Sequence, residues 1–145
     1  MFKHILVPTD GSALSQDTVR RAISFAKESN ARITAFFAKP EFPVTYIGEG
    51  VLIDPTTPEK FSEMADQQAA EVLAFVQAEC ASAGVECQIT SATSDVPYEA
   101  IIEAAEKHGC DLIFMASHGR KGISGLLLGS ETHKVLTHSK IPVLV

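Results

Sequence analysis

The stretch "FKHILVPTDGSALSQDTVRRAISFAKESNARITAFFA", residues 2–38, decides the fold. Its first seven residues have the apolar density of a buried strand, and Ser12 then predicts the N-cap of a helix. Asn30 predicts the C-terminus of that helix, because asparagine tolerates the left-handed backbone of a helix end. The run "RITAFFA" that follows is typical of a strand covered on both faces. A strand, a helix and a second strand in succession predict a parallel pair.

The same alternation continues to the end of the chain. Thr57 and Pro58 predict the start of a long helix that ends near Gly84. Strands at residues 85–92, 110–116 and 141–145 then alternate with helices at 96–109 and 131–139. Residues 39–57 show no periodicity and carry prolines and glycines, which predicts a lid or a mobile loop. The fold class is therefore α/β: a single doubly wound domain, residues 1–145, with a mostly parallel five-stranded sheet and helices on both faces.

Composition argues against a nucleic-acid-binding, membrane or secreted protein. The 145 residues carry a formal charge of −6, which disfavours a nucleic-acid partner. No apolar run is long enough for a membrane span, and the first strand reaches a turn too soon for a signal peptide, so we expect no membrane partner and a cytoplasmic location. The three cysteines, Cys80, Cys87 and Cys110, lack metal-type spacing and are interpreted as buried thiols.

The topology predicts where a ligand binds, at the carboxyl ends of the strands. Asp10 follows the first strand and could accept hydrogen bonds from a ribose or a base, or could simply help to cap the next helix. The loop after the fourth strand carries glycines and the basic residues Arg120 and Lys121, and a helix begins beyond it near Ser130. Unpaired N–H groups at such a helix start could hold a phosphate, although glycines in a turn are also a purely structural device.

Signals for catalysis are weak. The loop matches neither of the two common glycine-rich phosphate motifs, and Ser130 with His133 lacks a nucleophile elbow. His133 and His138 are five residues apart and so face different sides of a helix, which makes a metal pair improbable. His4 lies in a strand and is interpreted as a core or edge residue. We therefore assign no catalytic and no metal-binding residue, and an enzyme is the weakest hypothesis.

Three motifs together resemble the universal stress protein family. They are "ILVPTDGS" at the start, "SHGRKGISGLLLGS" in the glycine loop and "SKIPVLV" at the end, in the family's order and across the whole chain. The resemblance implies an adenine nucleotide alpha hydrolase-like fold and a homodimer formed through the last strand, from Ile141 to Val145. An exposed apolar edge strand also predicts pairing with a second copy.

The resemblance further implies an ATP site. ATP-binding members carry G-x-x-G, nine residues, then G-[ST]; Gly119, Gly129 and Ser130 match this pattern, whereas Ala116 replaces the first glycine. Alanine costs on the order of 1 kcal/mol if that backbone needs a positive φ, and little if the position only has to be small. The implied nucleotide-binding residues are Pro8, Thr9, Asp10, Ala38, Ala116, Ser117, His118, Gly119, Arg120, Lys121, Gly129, Ser130, Glu131 and Thr132.

Two functional hypotheses follow from the sequence and the resemblance. The first is a dimeric stress-response sensor or regulator that binds ATP, possibly with Mg²⁺, or a related adenine nucleotide, and hydrolyses it very slowly at most. The second is a nucleotide-independent dimeric module that recruits protein partners through its dimer surface and residues 39–57.

Overall fold

A five-stranded parallel sheet forms the centre of the protein, with the strand order β5-β2-β1-β6-β7. The structure, a computed structural model, describes residues 1–47, 50–53, 57–118 and 128–145, and only the backbone of 44–47 and 50–53. The elements in chain order are β1 (His4–Pro8), α1 (Ala13–Ser29), β2 (Arg32–Lys39), β3 (Val44–Ile47), β4 (Gly50–Ile53), α2 (Pro58–Ala83), β5 (Cys87–Thr93), α3 (Pro97–Lys107), β6 (Leu112–Phe114), α4 (Ser130–His138) and β7 (Val143–Leu144).

Helices cover both faces of this sheet, as predicted. On one face Ile5, Val7 and Ile33 pack against α1 and α2, and on the other face Leu6 and Phe36 pack against α3 and α4. The side-chain period of two in β1 explains this division, because Ile5 and Val7 point to one side and Leu6 to the other. Both faces are buried, and the run "ILV" is accordingly apolar throughout. The predicted α/β class is confirmed.

The predicted helix ends are also confirmed. Ser12 caps α1, and its hydroxyl accepts a hydrogen bond of 3.2 Å from the N–H of Ser15. Asn30 closes the same helix in the left-handed conformation at φ 55°. Thr57 caps α2, and Gly84 ends it at φ 73°. Local chemistry therefore fixes where these two helices start and stop.

The prediction that residues 39–57 form an irregular loop is wrong in part. β3 and β4 pair antiparallel within this segment, as a two-stranded sheet of their own. The sequence accounts for this, because "VTYI" and "GVLI" are rich in β-branched and aliphatic residues, whereas the prolines at 40, 43 and 55 lie outside both strands. The prolines at 40 and 43 therefore precede the antiparallel pair, and Gly50 opens its second strand.

The interpretation of the three cysteines as buried thiols needs one correction. Cys80 and Cys110 are buried, but Cys87 is only half-buried. The reason is topological, since Cys87 opens β5, which is an edge strand of the sheet. An edge strand leaves part of its surface to solvent.

His4 lies in the core at the opposite end of β1 from the loop that contains Asp10. The side chain is 5% exposed, and its Nε2 lies 2.6 Å from the hydroxyl oxygen of Thr34. Its Nδ1 has no hydrogen-bond partner among the described residues. Burial lowers the pKa of His4, and the positive charge of Arg32 lowers it further, although Asp111 acts in the opposite direction. The imidazole is therefore held neutral inside the fold.

Stability is expected to fall as the pH drops below about 6.5, the pKa of an unperturbed histidine, because unfolding then lets His4 take up a proton that the folded state resists. The contribution of His4 to the free energy of unfolding is fully present above this pH. Below it, the free energy of unfolding falls by at most about 1.4 kcal/mol per pH unit on account of His4. Urea unfolding across this range would measure the slope. In His4→Gln, which can still form a hydrogen bond with Thr34 but does not titrate, the slope should flatten. The exposed His138→Gln is the control, and an unchanged slope in His4→Gln would contradict the assignment.

Candidate functional site

A cavity of about 350 Å³ opens at the carboxyl ends of the central strands. The volume lies in the range of small-molecule sites, about 300–1,000 Å³. The cavity lies beside β1, which pairs with β2 on one side and with β6 on the other. The winding of the chain therefore reverses at β1, and ligands bind at such a point in doubly wound sheets. The structure brings ten of the predicted site residues to this cavity: Pro8, Thr9, Asp10, Ala38, Ala116, His118, Gly129, Ser130, Glu131 and Thr132.

The loop after β1 is fixed by a short network of hydrogen bonds. Ser15 donates from its hydroxyl to the Thr9 hydroxyl over 2.9 Å and accepts from the backbone N–H of Asp10 over 3.2 Å. The Asp10 carboxylate accepts from the N–H of Ser12 over 2.9 Å, and Gly11 takes a positive φ of 78° to complete the turn. The helix cap is Ser12 and not Asp10, so Asp10 organises the loop at the edge of the cavity.

Gly129 brings the start of α4 against the loop after β6. Its N–H donates to the carbonyl of Ser117 over 2.7 Å. A Cβ atom at this position would lie 2.9 Å from the Cα of His118 and 3.1 Å from the carbonyl oxygen of Ser117. Its φ is −66°, an ordinary value. The position therefore needs glycine because two stretches of backbone approach closely, and not for its conformational freedom.

Ala116 fits its position without strain. Among the described residues other than glycine, Asn30 alone has a positive φ, so the backbone of Ala116 is one that alanine adopts freely. Its carbonyl accepts a 2.9 Å hydrogen bond from the hydroxyl of Thr132, which is 3% exposed. The sequence left open whether the backbone at this position has a positive φ, which would strain an alanine, or only has to be small. The structure excludes the positive φ.

The first turn of α4 faces the cavity with its polar backbone. The first hydrogen bond within the helix runs from His133 N–H to the Gly129 carbonyl, over 2.9 Å. The N–H groups of Ser130, Glu131 and Thr132 thus have no partner inside the helix, and the positive end of the helix dipole lies with them. The N-cap residue, Gly129, has no side chain with which to cap this helix. Such an end is suited to an anion.

Glu131 joins this helix start to α3. Its Oε2 accepts a 3.0 Å hydrogen bond from the backbone N–H of Tyr98, in the first turn of α3. Its Oε1 lies 3.5 Å from the ammonium of Lys134. The carboxylate therefore supplies the cap that α3 lacks, since Val96 offers no side-chain hydrogen bond there.

Comparison with known proteins places the chain in a family. The sequence model of the universal stress protein family matches residues 1–145. The chain belongs to the universal stress protein family. Universal stress protein MJ0531 of Methanocaldococcus jannaschii is 34% identical over 145 residues, which cover 100% of this chain and 82% of that protein.

Solved structures of similar proteins agree with the fold. The structure of MJ0577 superposes with a TM-score of 0.81 at 24% identity, over 100% of this chain and 95% of that one, a likeness in fold alone. A universal stress protein in complex with cAMP superposes with a TM-score of 0.70 at 26% identity, over 99% of this chain and 95% of that one. The universal stress protein fold is thus observed in this chain from end to end.

Four of the residues that the resemblance singled out are not among the described residues that line the cavity. Gly119, Arg120 and Lys121 lie outside the described residues. Ser117 is described, and its carbonyl accepts a hydrogen bond from the N–H of Gly129, while its hydroxyl oxygen lies 3.1 Å from Nδ1 of His118. Ser117 therefore stabilises the loop after β6 in this universal stress protein.

Sequence reasoning missed the walls of the cavity. The missed lining residues come from the core of the sheet and from α1 and α3: Ser15, Phe36, Phe37, Pro97, Ile101 and Met115. Most are apolar, so the interior is suited to a flat hydrophobic group. Their signal in the sequence is that of core residues, and nothing in the pattern marks them as lining a site.

Two kinds of feature are absent from the described residues of this universal stress protein. Within residues 1–47, 50–53, 57–118 and 128–145, no three His, Cys, Asp or Glu side chains come together as metal ligands. Across the same part of the chain, none of the helices has the length and apolar character needed to cross a membrane.

Proposed function

We propose that this universal stress protein is a cytoplasmic dimer that binds ATP or a related adenine nucleotide and acts as a sensor or regulator in the stress response. The observation that carries the proposal is the 350 Å³ cavity at the point where the winding reverses, with an apolar interior and the uncapped start of α4 at its rim. A relative of 26% identity was solved with cAMP, another adenine nucleotide.

Each part of the cavity suits one part of a nucleotide. The apolar walls, with Phe37 and Ile101, would take the base, and the backbone of Ala38 would meet its polar edge. Asp10 would accept hydrogen bonds from the ribose hydroxyls. The N–H groups at the start of α4 and the Ser130 hydroxyl would hold the phosphates. Mg²⁺, where present, would arrive with the phosphates of ATP and neutralise part of their charge.

Isothermal titration with ATP, AMP and cAMP tests the proposal. We expect binding by the wild-type chain and a loss of about tenfold or more in Asp10→Ala, since one or two hydrogen bonds to the ribose disappear. Asp17→Ala is the matched control, because Asp17 pairs with Arg21 on the exposed surface of α1 and lines no part of the cavity. An absence of heat with all three nucleotides at millimolar concentration would reject the proposal and favour a dimeric interaction module that acts without nucleotide.

The dimer is proposed to form through β7, an edge strand. The carbonyls of Pro142 and Leu144 accept hydrogen bonds of 2.9 Å and 3.0 Å from β6. Backbone groups alternate in direction along a strand, so those of Val143 and Val145 point away from the sheet. These outward groups, and the half-exposed side chain of Val145, are what a second copy would meet.

Val143→Pro should therefore convert the dimer into a monomer, because proline removes an outward N–H but none of the bonds to β6. Analytical ultracentrifugation would measure the change. Val143→Ala keeps the N–H and should stay dimeric, as the control. If the proline variant remains a dimer, the interface lies elsewhere.

A further inference from the structure

Two cysteines meet where α2 turns into β5. Cys80 lies in the last turn of α2, and Cys87 is the first residue of β5. The chain reverses between them at Gly84, and the turn is closed by a 2.9 Å hydrogen bond from the N–H of Val85 to the carbonyl of Cys80. Cys87 packs against the hydrophobic cluster that contains Cys80, and each thiol is the strongest influence on the pKa of the other. The turn thus holds two thiols side by side.

Solvent reaches these two thiols unequally. Cys80 is 0% exposed, whereas Cys87 is half-buried on the edge strand. The Cys87 sulfur also lies 3.6 Å from the carbonyl of Gln88, on the exposed side of the strand. A small dissolved oxidant would therefore meet Cys87 before Cys80.

The two thiols also shift each other's acidity in opposite directions. The neighbouring Cys80 lowers the pKa of Cys87 against the effect of its burial, and the backbone of Ala35 lowers it further. The neighbouring Cys87, together with burial, raises the pKa of Cys80. Cys87 is thus the better nucleophile, and Cys80 is positioned as its resolving partner.

Cys110 provides a contrast within the same molecule. It is buried, and its burial raises the pKa to about 11, although a hydrogen bond with Thr34 acts in the opposite direction. Neither Cys80 nor Cys87 is among the groups that perturb it. A cysteine of this kind is expected to be inert towards dissolved oxidants.

We propose that Cys80 and Cys87 are a peroxide-responsive site that closes reversibly as an intramolecular disulfide. In the first step the Cys87 thiolate attacks one oxygen of a hydroperoxide, the O–O bond breaks, and Cys87 becomes a sulfenic acid as the peroxide is reduced to water or an alcohol. In the second step the Cys80 sulfur attacks the Cys87 sulfur, and the Cys80 proton leaves with the hydroxyl as water. Two thiols are oxidised, one peroxide is reduced, and an external dithiol returns both thiols by exchange.

The site is separate from the proposed nucleotide site. Cys87 opens β5 at the amino ends of the parallel strands, whereas the cavity lies at their carboxyl ends. The proposal consequently does not depend on nucleotide binding, and a negative result here would leave that proposal unaffected.

The sequence itself offers a direct assay. Glutamates at positions 79, 86 and 99 mean that cleavage after glutamate separates residues 80–86 from residues 87–99, with one cysteine in each peptide. The folded chain would be treated with hydrogen peroxide, alkylated, digested without reductant and analysed by mass spectrometry. We expect the two peptides to appear covalently joined, lighter by two hydrogen atoms than their sum, and to separate after dithiothreitol. A peroxide-treated sample in which both peptides remain unjoined, or in which Cys110 or a second chain is the partner, would overturn the proposal.

Variants check the order of the two steps. In Cys80→Ala we expect Cys87 to stop at the sulfenic acid, which dimedone traps, whereas in Cys87→Ala we expect no trapped sulfenic acid on Cys80. Cys110→Ala is the control and should form the disulfide as the wild-type chain does. Dimedone labelling of Cys80 in place of Cys87 would refute the assigned roles, and the wild-type digest remains decisive even if a variant folds poorly.

Discussion

Replacing Gly129 with alanine is expected to weaken adenine nucleotide binding by at least about tenfold, or about 1.4 kcal/mol. The new methyl would lie 2.9 Å from the His118 Cα, closer than such atoms pack, and 3.1 Å from the Ser117 carbonyl oxygen, which is also a tight contact. Because these neighbours belong to the backbone, no side-chain rotation relieves the contact. The start of α4 has to move away from the loop, and the N–H groups proposed to hold the phosphates move with it.

Gly109→Ala is the matched control for this variant. Gly109 has a φ of 68° with open space around its added Cβ, and it lies outside the cavity lining. Alanine there should cost on the order of 1 kcal/mol of folding free energy and leave nucleotide affinity unchanged. Titration calorimetry and urea unfolding on both variants would separate the two effects. Equal affinities in Gly129→Ala and the wild-type chain would show that the nucleotide binds elsewhere or not at all.

Ile5→Ala is expected to lower the free energy of unfolding by about 2–5 kcal/mol, a large share of the about 5–15 kcal/mol typical of a small domain. Ile5 is 0% exposed and lies in the middle of the sheet, paired with Ile33 on one side and Leu112 on the other. Truncation at such a position removes apolar contacts and leaves a cavity that strands held on both sides cannot close.

Ile89→Ala makes the same chemical change on the edge strand β5. Ile89 is 42% exposed, so its truncation should cost about 1 kcal/mol or less. Urea unfolding of the two variants measures the difference. Similar losses of unfolding free energy in both variants would show that a buried central strand does not stabilise the fold more than an exposed edge strand.

Much of the fold can be predicted from the sequence because its signals are local. Ser12, Asn30 and Gly84 mark helix ends through their own backbone and side-chain chemistry, and the structure confirms all three. The hairpin of β3 and β4 was missed for the opposite reason. Three prolines and two glycines interrupt the pattern of residues 39–57, and two strands of four residues each are too short to show a period.

The residues of the candidate site likewise fall into those that the sequence predicts and those that it does not. Asp10, Gly129 and Ser130 stand next to helix starts and strand ends, so their place at the rim of the cavity follows from the topology. Phe36 and Ile101 give only the signal of core residues, and their second role depends on which strands and helices become neighbours. The contact between Glu131 and Tyr98 joins positions 33 residues apart, which no local pattern encodes.

The bond from the Tyr98 N–H to Glu131 makes one wall of the cavity rigid. Since it ties the first turns of α3 and α4 together, neither helix start can swing outward alone without the loss of this part-buried bond. The turn from Thr9 to Ser12 is tied to its neighbours as well, because the Thr9 N–H donates to the Phe36 carbonyl of β2 over 2.9 Å and the turn bonds to Ser15 at the start of α1. Both sides of the cavity are thus joined to neighbouring elements, so a ligand is expected to fit the cavity without displacing either side.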